Sequence, residues 1–125
     1  MEEQIYARIT ELMGIEPHWG RAPEDAPLPY LVVQPPACEG VEYQSGADAV
    51  GTWRLRLEAY TTSLPQARDW LRRLEEGLTR NALDLGDGTA VDITARASDV
   101  TVDPDPAPDG STVWHGVLDL ELTVC

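Results

Sequence analysis

No run of about 18 apolar residues occurs in this chain, so nothing in it reads as a membrane-spanning helix. Lysine and phenylalanine are absent, and Asn81 is the single asparagine. Alanine, glycine and proline are plentiful, so this bias reads as the coding signature of a GC-rich genome. Cysteine is scarce: only Cys38 and Cys125 occur. No secretion leader is recognisable. Met1-Glu2-Glu3-Gln4 is acidic and runs into an amphipathic pattern, whereas a signal peptide starts basic and continues apolar. The expectation is a chain that stays in the cytoplasm where it is made, with two reduced thiols. Positive charge is also short, with nine arginines against 22 acids and a net charge of −13. Phosphate backbones repel such a surface, which disfavours nucleic-acid binding.

What is present suffices for one domain over residues 1–125. A chain of this size buries roughly two-thirds of the surface its unfolded form exposes. It therefore needs neither a disulfide nor a metal to fold. Glu2 to Met13 reads as a helix, with Ile5, Ile9, Leu12 and Met13 on one stripe. Gly14 and Pro17 stop it. Four prolines between Pro17 and Pro29 argue for a loop without regular structure. Tyr30 to Gln34 is a short apolar strand ended by Pro35-Pro36. Glu39 to Gly51 is polar and reads as a projecting hairpin or loop. Thr52 to Tyr60 is a strand, with Trp53, Leu55, Leu57 and Ala59 on one face and Arg54, Arg56 and Glu58 on the other.

Ser63 suits a helix N-cap and Pro65 a first turn. The second helix then buries Ala67, Trp70, Leu71, Leu74 and Leu78. Asp84 to Gly88 is a turn. Val91, Ile93 and Ala95 share a strand face, but Val100 and Val102 have the opposite parity, which predicts a bulge or break near Ser98. Asp103 to Gly110, with three prolines, is an exposed loop. Thr112 to Val124 alternates cleanly, with Trp114, Leu118, Leu120, Leu122 and Val124 facing inward. The fold class expected is α+β: an antiparallel sheet covered on one face by two amphipathic helices.

A search for chemistry finds little. The aspartates from Asp103 to Asp109 lack calcium-loop spacing and a closing glutamate. His18, His115, Cys38 and Cys125 are too scattered for a zinc site. His115, opposite in face to Trp114, is expected near the sheet edge or an interface. No serine sits in a nucleophile elbow, and no glycine-rich phosphate loop precedes a helix. Glu75 and Glu76 are adjacent on a helix and point apart. Trp53, Trp70 and Trp114 read as core. Trp19 reads as a lid or part of an interface, with a lean to the lid. The expectation is therefore no catalytic residue, no cofactor and no metal.

Four segments carry a resemblance. They are Ala26-Pro27-Leu28-Pro29-Tyr30-Leu31-Val32-Val33 after the first helix; Trp53-Arg54-Leu55-Arg56-Leu57-Glu58-Ala59-Tyr60; Ser63-Leu64-Pro65-Gln66-Ala67-Arg68; and Asp109-Gly110-Ser111-Thr112-Val113-Trp114-His115-Gly116-Val117-Leu118. In this order the chain resembles the small tail-completion proteins, or tail terminators, of bacteriophages with long non-contractile tails and of gene transfer agents. The resemblance implies a non-enzymatic structural protein of the virion tail. It implies a ring, commonly a hexamer, that caps the tail tube and ends its polymerisation. The partners implied are further copies of itself, the tail tube protein and the head-tail connector or neck protein. DNA would pass through the lumen without specific binding, and the acidic balance fits that passage. Candidate interface residues are Glu42, Tyr43, Gln44, Asp48, Arg54, Arg56 and Glu58. Competing readings are a neck or head-completion protein of the same particle, a small hydrolase, and an acidic protein that neutralises a basic partner.

Overall fold

The computed structural model describes residues 2–39, 52–86 and 88–124, without the side chains of Cys38, Glu39 and Val124. Helix α1 spans Glu2–Met13. The strands that follow are β1 (His18–Trp19), β2 (Tyr30–Val33), β3 (Ala37–Glu39) and β4 (Thr52–Thr61). Helix α2 spans Leu64–Thr79, and β5 (Leu83–Asp84), β6 (Ala90–Val102) and β7 (Trp114–Val124) complete the chain. The sheet order is β1-β2-β4-β7-β6-β5, with β3 paired to β4 beside β2.

The α+β class holds, but the sheet is mixed. Every pairing is antiparallel except β1 with β2, which is parallel. The prolines between Pro17 and Pro29 do not exclude regular structure as expected. His18 and Trp19 pair with Val32 and Val33, in a strand short enough to fit between Pro17 and Gly20. The expected projecting segment at 39–51 lies, beyond the backbone of Glu39, outside the described residues. Glu39 and Thr52, which flank it, are paired across β3 and β4.

Local chemistry explains the element ends. Gly14 leaves α1 at a φ of +73°, a left-handed turn that glycine adopts without strain. Ser63 caps α2, its hydroxyl accepting from the Gln66 N–H at 3.3 Å, and Pro65 sits in the first turn. The bulge expected near Ser98 falls two residues earlier, between Ala95 and Ala97. It turns Val100 to the same side as Ile93 despite the opposite parity.

The core lies between the sheet and the helices. Leu55, Leu57 and Ala59 of β4, Leu118, Leu120 and Leu122 of β7, and Val91 and Ile93 of β6 face Leu71, Leu74 and Leu78 of α2. Helix packing is less uniform than two helices laid side by side on a sheet. α2 rests on β4, β7 and β6, while α1 packs on α2 and reaches the sheet near β5. Arg8 of α1 donates to the carbonyls of Asn81 and Ala82, just before β5. Tyr6 stacks on Trp19 of β1, ring centroids 6.2 Å apart. At about 100° per residue, Arg8 and Tyr6 leave the helix on nearly opposite flanks. β1 and β5 are the two ends of the sheet order. The sheet must therefore curl so that both edges approach α1, with Ile5, Ile9 and Met13 filling the space between.

Close approach of α2 explains two glycines. A Cβ on Gly77 would lie 2.4 Å from a Leu12 methyl, so a larger residue there would force the Leu12 side chain to move. A Cβ on Gly116 would lie 3.1 Å from Leu71. Gly116 pairs with Ala59, and the two small residues together let Leu71 descend onto the sheet.

Candidate interaction face

The face of the sheet turned away from the helices carries the polar chemistry. Strand parity places Arg54, Arg56, Glu58 and Tyr60 of β4 there, as expected for the first three. The register then assembles rows across the sheet. Tyr30, Tyr60 and His115 lie side by side on β2, β4 and β7. Val32, Glu58 and Val117 form the next row, then Arg56 with Asp119, then Arg54 with Glu121.

The first row is an aromatic ladder. Tyr30 and Tyr60 stack with centroids 4.9 Å apart, and Tyr60 and His115 stack at 4.4 Å. His18 of β1 meets Tyr30 edge-on at 5.8 Å. Beneath it runs a polar chain. Gln34 Nε2 donates to the Gly20 carbonyl and to Glu58 Oε2, each at 2.9 Å. Glu58 Oε1 lies 3.0 Å from His115 Nε2. Both carboxylate oxygens of Glu58 are thus engaged, and its side chain is largely buried. Glu58 holds this face together rather than projecting from it. Of the two places expected for His115, the sheet edge does not hold, because β7 lies between β4 and β6.

The far end of the face is open and charged. Arg56 reaches Asp119 through Nε at 2.9 Å and Nη2 at 3.4 Å. Arg96 pairs with Glu121 at 3.5 Å, and Arg54 lines the same shallow groove as Arg96 and Asp119. Glu42, Tyr43, Gln44 and Asp48 lie outside the described residues. Trp19 is 36% exposed and stacked on Tyr6, so it covers part of the α1 flank while leaving an edge to solvent.

Two proline-rich loops rise over the aromatic end. Residues 20–29 form one wall and residues 103–113 the other. Asp103 donates its N–H to the Val113 carbonyl at 2.8 Å, closing the second loop onto the sheet. Between the walls lies a cleft of about 500 Å³, floored by Tyr30, Tyr60 and Glu58. Burial, then Glu58, Tyr30 and Asp103, push the Tyr60 phenol up to about 12. Burial, Asp103 and Glu58 also raise Tyr30. The cleft thus resists any further negative charge.

Among the described residues, no group of three or more His, Cys, Asp or Glu side chains is placed to hold a metal ion. No described helix is long and apolar enough to cross a membrane. The model of the family described as tail completion protein gp17 matches residues 6–124.

The chain belongs to that family.

Membership makes it a tail completion protein, and the virion tail is its place. No curated protein matches the sequence. Similar solved structures share the fold. One comes from the virion of a native gene transfer agent particle, with a TM-score of 0.66 at 12% identity, covering 100% of this chain and 95% of that one. Another is the gp17 protein of bacteriophage SPP1, with a TM-score of 0.50 at 19% identity, covering 98% and 84%.

The sequence reading had Arg54, Arg56 and Glu58 on one face but missed the ladder and the cleft. Alternation alone puts Tyr60 with Glu58 and His115 with Asp119. Only the register shows that Tyr30, Tyr60 and His115 are neighbours.

Proposed function

We propose that this tail completion protein is a tail terminator: a ring on the last ring of the tail tube that ends polymerisation and offers the surface to which the head connector joins. The family match over residues 6–124 carries this reading. A tube grows because each ring presents a top complementary to the bottom of the next, a heterologous contact that does not close by itself. A terminator must match the growing face and present something different outward.

The fold offers separate surfaces for this. β5 pairs only with Ala90 and Val91, so on that side β6 has no strand partner among the described residues from Ile93 to Val102. Val102 there is 52% exposed. An open strand edge suits a neighbouring subunit. Arg54 and Arg56 on the outer face, and the 39–51 segment with Glu42, Tyr43, Gln44 and Asp48, are the contacts we assign to tube or neck, with Glu58 shaping that face from within. The ring size proposed is six, with DNA passing through the lumen unbound.

The test is deletion of the gene. Filled heads without attached tails, with free tails absent or overlong, are the expected products. Tails of normal length that fail to join heads would move the chain to the neck. Normal, joined and infectious particles would refute a completion role.

A further inference from the structure

Beyond the capping role, we propose that the trough between the two proline-rich loops seats an extended, arginine-bearing segment of a different protein. The cleft over Tyr30 and Tyr60 does not end at the loops. A second hollow of about 420 Å³ continues it and shares Glu24, Ala26, Leu28, Ala107 and Pro108 as walls. The two hollows thus make one continuous trough that follows the facing loops. It suits one extended strand of peptide. The proline walls are stiff, so little ordering entropy is lost when a segment enters.

Charge selects the occupant. Glu24, Asp25, Asp103, Asp105 and Asp109 line the two hollows, and Arg21 is the one base among the lining residues. The phenol oxygens of Tyr30 and Tyr60 have no hydrogen-bond partner among the described residues. The site thus holds acceptors in excess of donors. A guanidinium supplies five donors in a planar fork and accepts nothing, which complements this set better than a compact ammonium. Nucleic acid is repelled. A second copy, itself at −13, is a poor source of the segment. A basic tail or loop of another protein fits.

The experiment uses the full chain and a fluorescent heptapeptide alternating arginine with alanine, read by anisotropy. Controls replace arginine by lysine or by glutamate. Saturable binding of the arginine peptide is expected, weaker for lysine and absent for glutamate. Asp103→Asn with Asp105→Asn should raise Kd about tenfold, the effect of removing one charge-assisted hydrogen bond. Asparagine keeps the side-chain oxygen with which Asp103 accepts the Asp105 N–H at 2.9 Å, so the loop retains its turn. Asp105→Asn alone, at an exposed position, gives a second variant that does not depend on that turn. Glu2→Gln with Glu3→Gln, an equal change of charge on α1, should leave Kd unchanged. An equal weakening in that control, equal binding of the glutamate peptide, or no saturable binding by folded protein would each overturn the proposal. None of these outcomes bears on whether the chain terminates tails, which the deletion phenotype reads separately.

Discussion

The two faces of the sheet are built on opposite rules. The face under the helices is aliphatic and dense: Leu118, Leu120 and Leu122 are each 0% exposed, and small residues are used where α2 comes closest. The outer face is aromatic and ionic, with half-buried rings, a carboxylate bonded on both oxygens and a cleft left open between two loops. The same strands serve both, because successive side chains point to opposite sides. β4 therefore contributes Leu57 to the core and Glu58 to the outer face within one residue. Stability belongs chiefly to the first face, and the proposed function assigns partner contacts to the second. Mutations should separate them.

The largest effect is expected from Leu120→Ala. Leu120 sits on a central strand, between Leu55 and Ala95 in the register. Truncation leaves a cavity that the surrounding sheet cannot close, at a cost of roughly 3–5 kcal/mol. For a domain of this size that is a large share of total stability. Urea unfolding of the purified chain measures it. A loss below about 1 kcal/mol would mean that the core is not packed as described.

A smaller loss is expected from Gly116→Val. The added carbons would press on Leu71, which already lies 3.1 Å from where a Cβ would stand. Overpacking of this kind costs about 1–3 kcal/mol. Leu71→Ala in the same chain should recover part of it, since the obstructing side chain is gone. Thermal unfolding of the single and double variants checks both statements. Simple additivity would show that Gly116 matters for some reason other than α2.

These two positions also show what the sequence makes legible. The alternation in Thr112 to Val124 placed Leu120 in the core without reference to anything distant. Ser63 and Pro65 likewise announce α2 locally, and the structure bears that out. Gly116 was noticeable only as part of a Trp-His-Gly motif, because its reason sits on α2. β1 was hidden for a similar cause. Two residues between Pro17 and Gly20 have no strand pattern of their own, and they are extended because Val32 and Val33 accept them as partners. The candidate site is the extreme case. Its floor comes from β2 and β4 and its walls from two loops about 80 residues apart. Each loop read as an ordinary solvated connection. Their facing one another is a product of register and curl, which alternation does not encode.

The smallest of these effects concerns the outer face and pH. Folding favours the neutral phenol of Tyr60, because burial and the charges of Glu58 and Asp103 oppose a phenolate there. The folded value is raised from 10.0 to about 12, so the unfolded chain loses this proton first as pH rises. The contribution to stability is therefore complete below pH 10 and is lost progressively from there towards about 12. Tyr60→Phe removes the titrating group while keeping the ring in the ladder. The variant should unfold at a slightly higher pH than the parent, and the late phase of phenolate absorption should vanish from its spectrum. The shift should be modest, because the cleft admits water and solvent screens these charges. Phenols that all titrate together near the ordinary tyrosine value in the folded protein would mean that Glu58 and Asp103 do not converge on this floor. The outer face would then lose its claim to be a built site, while the core face would stand unchanged.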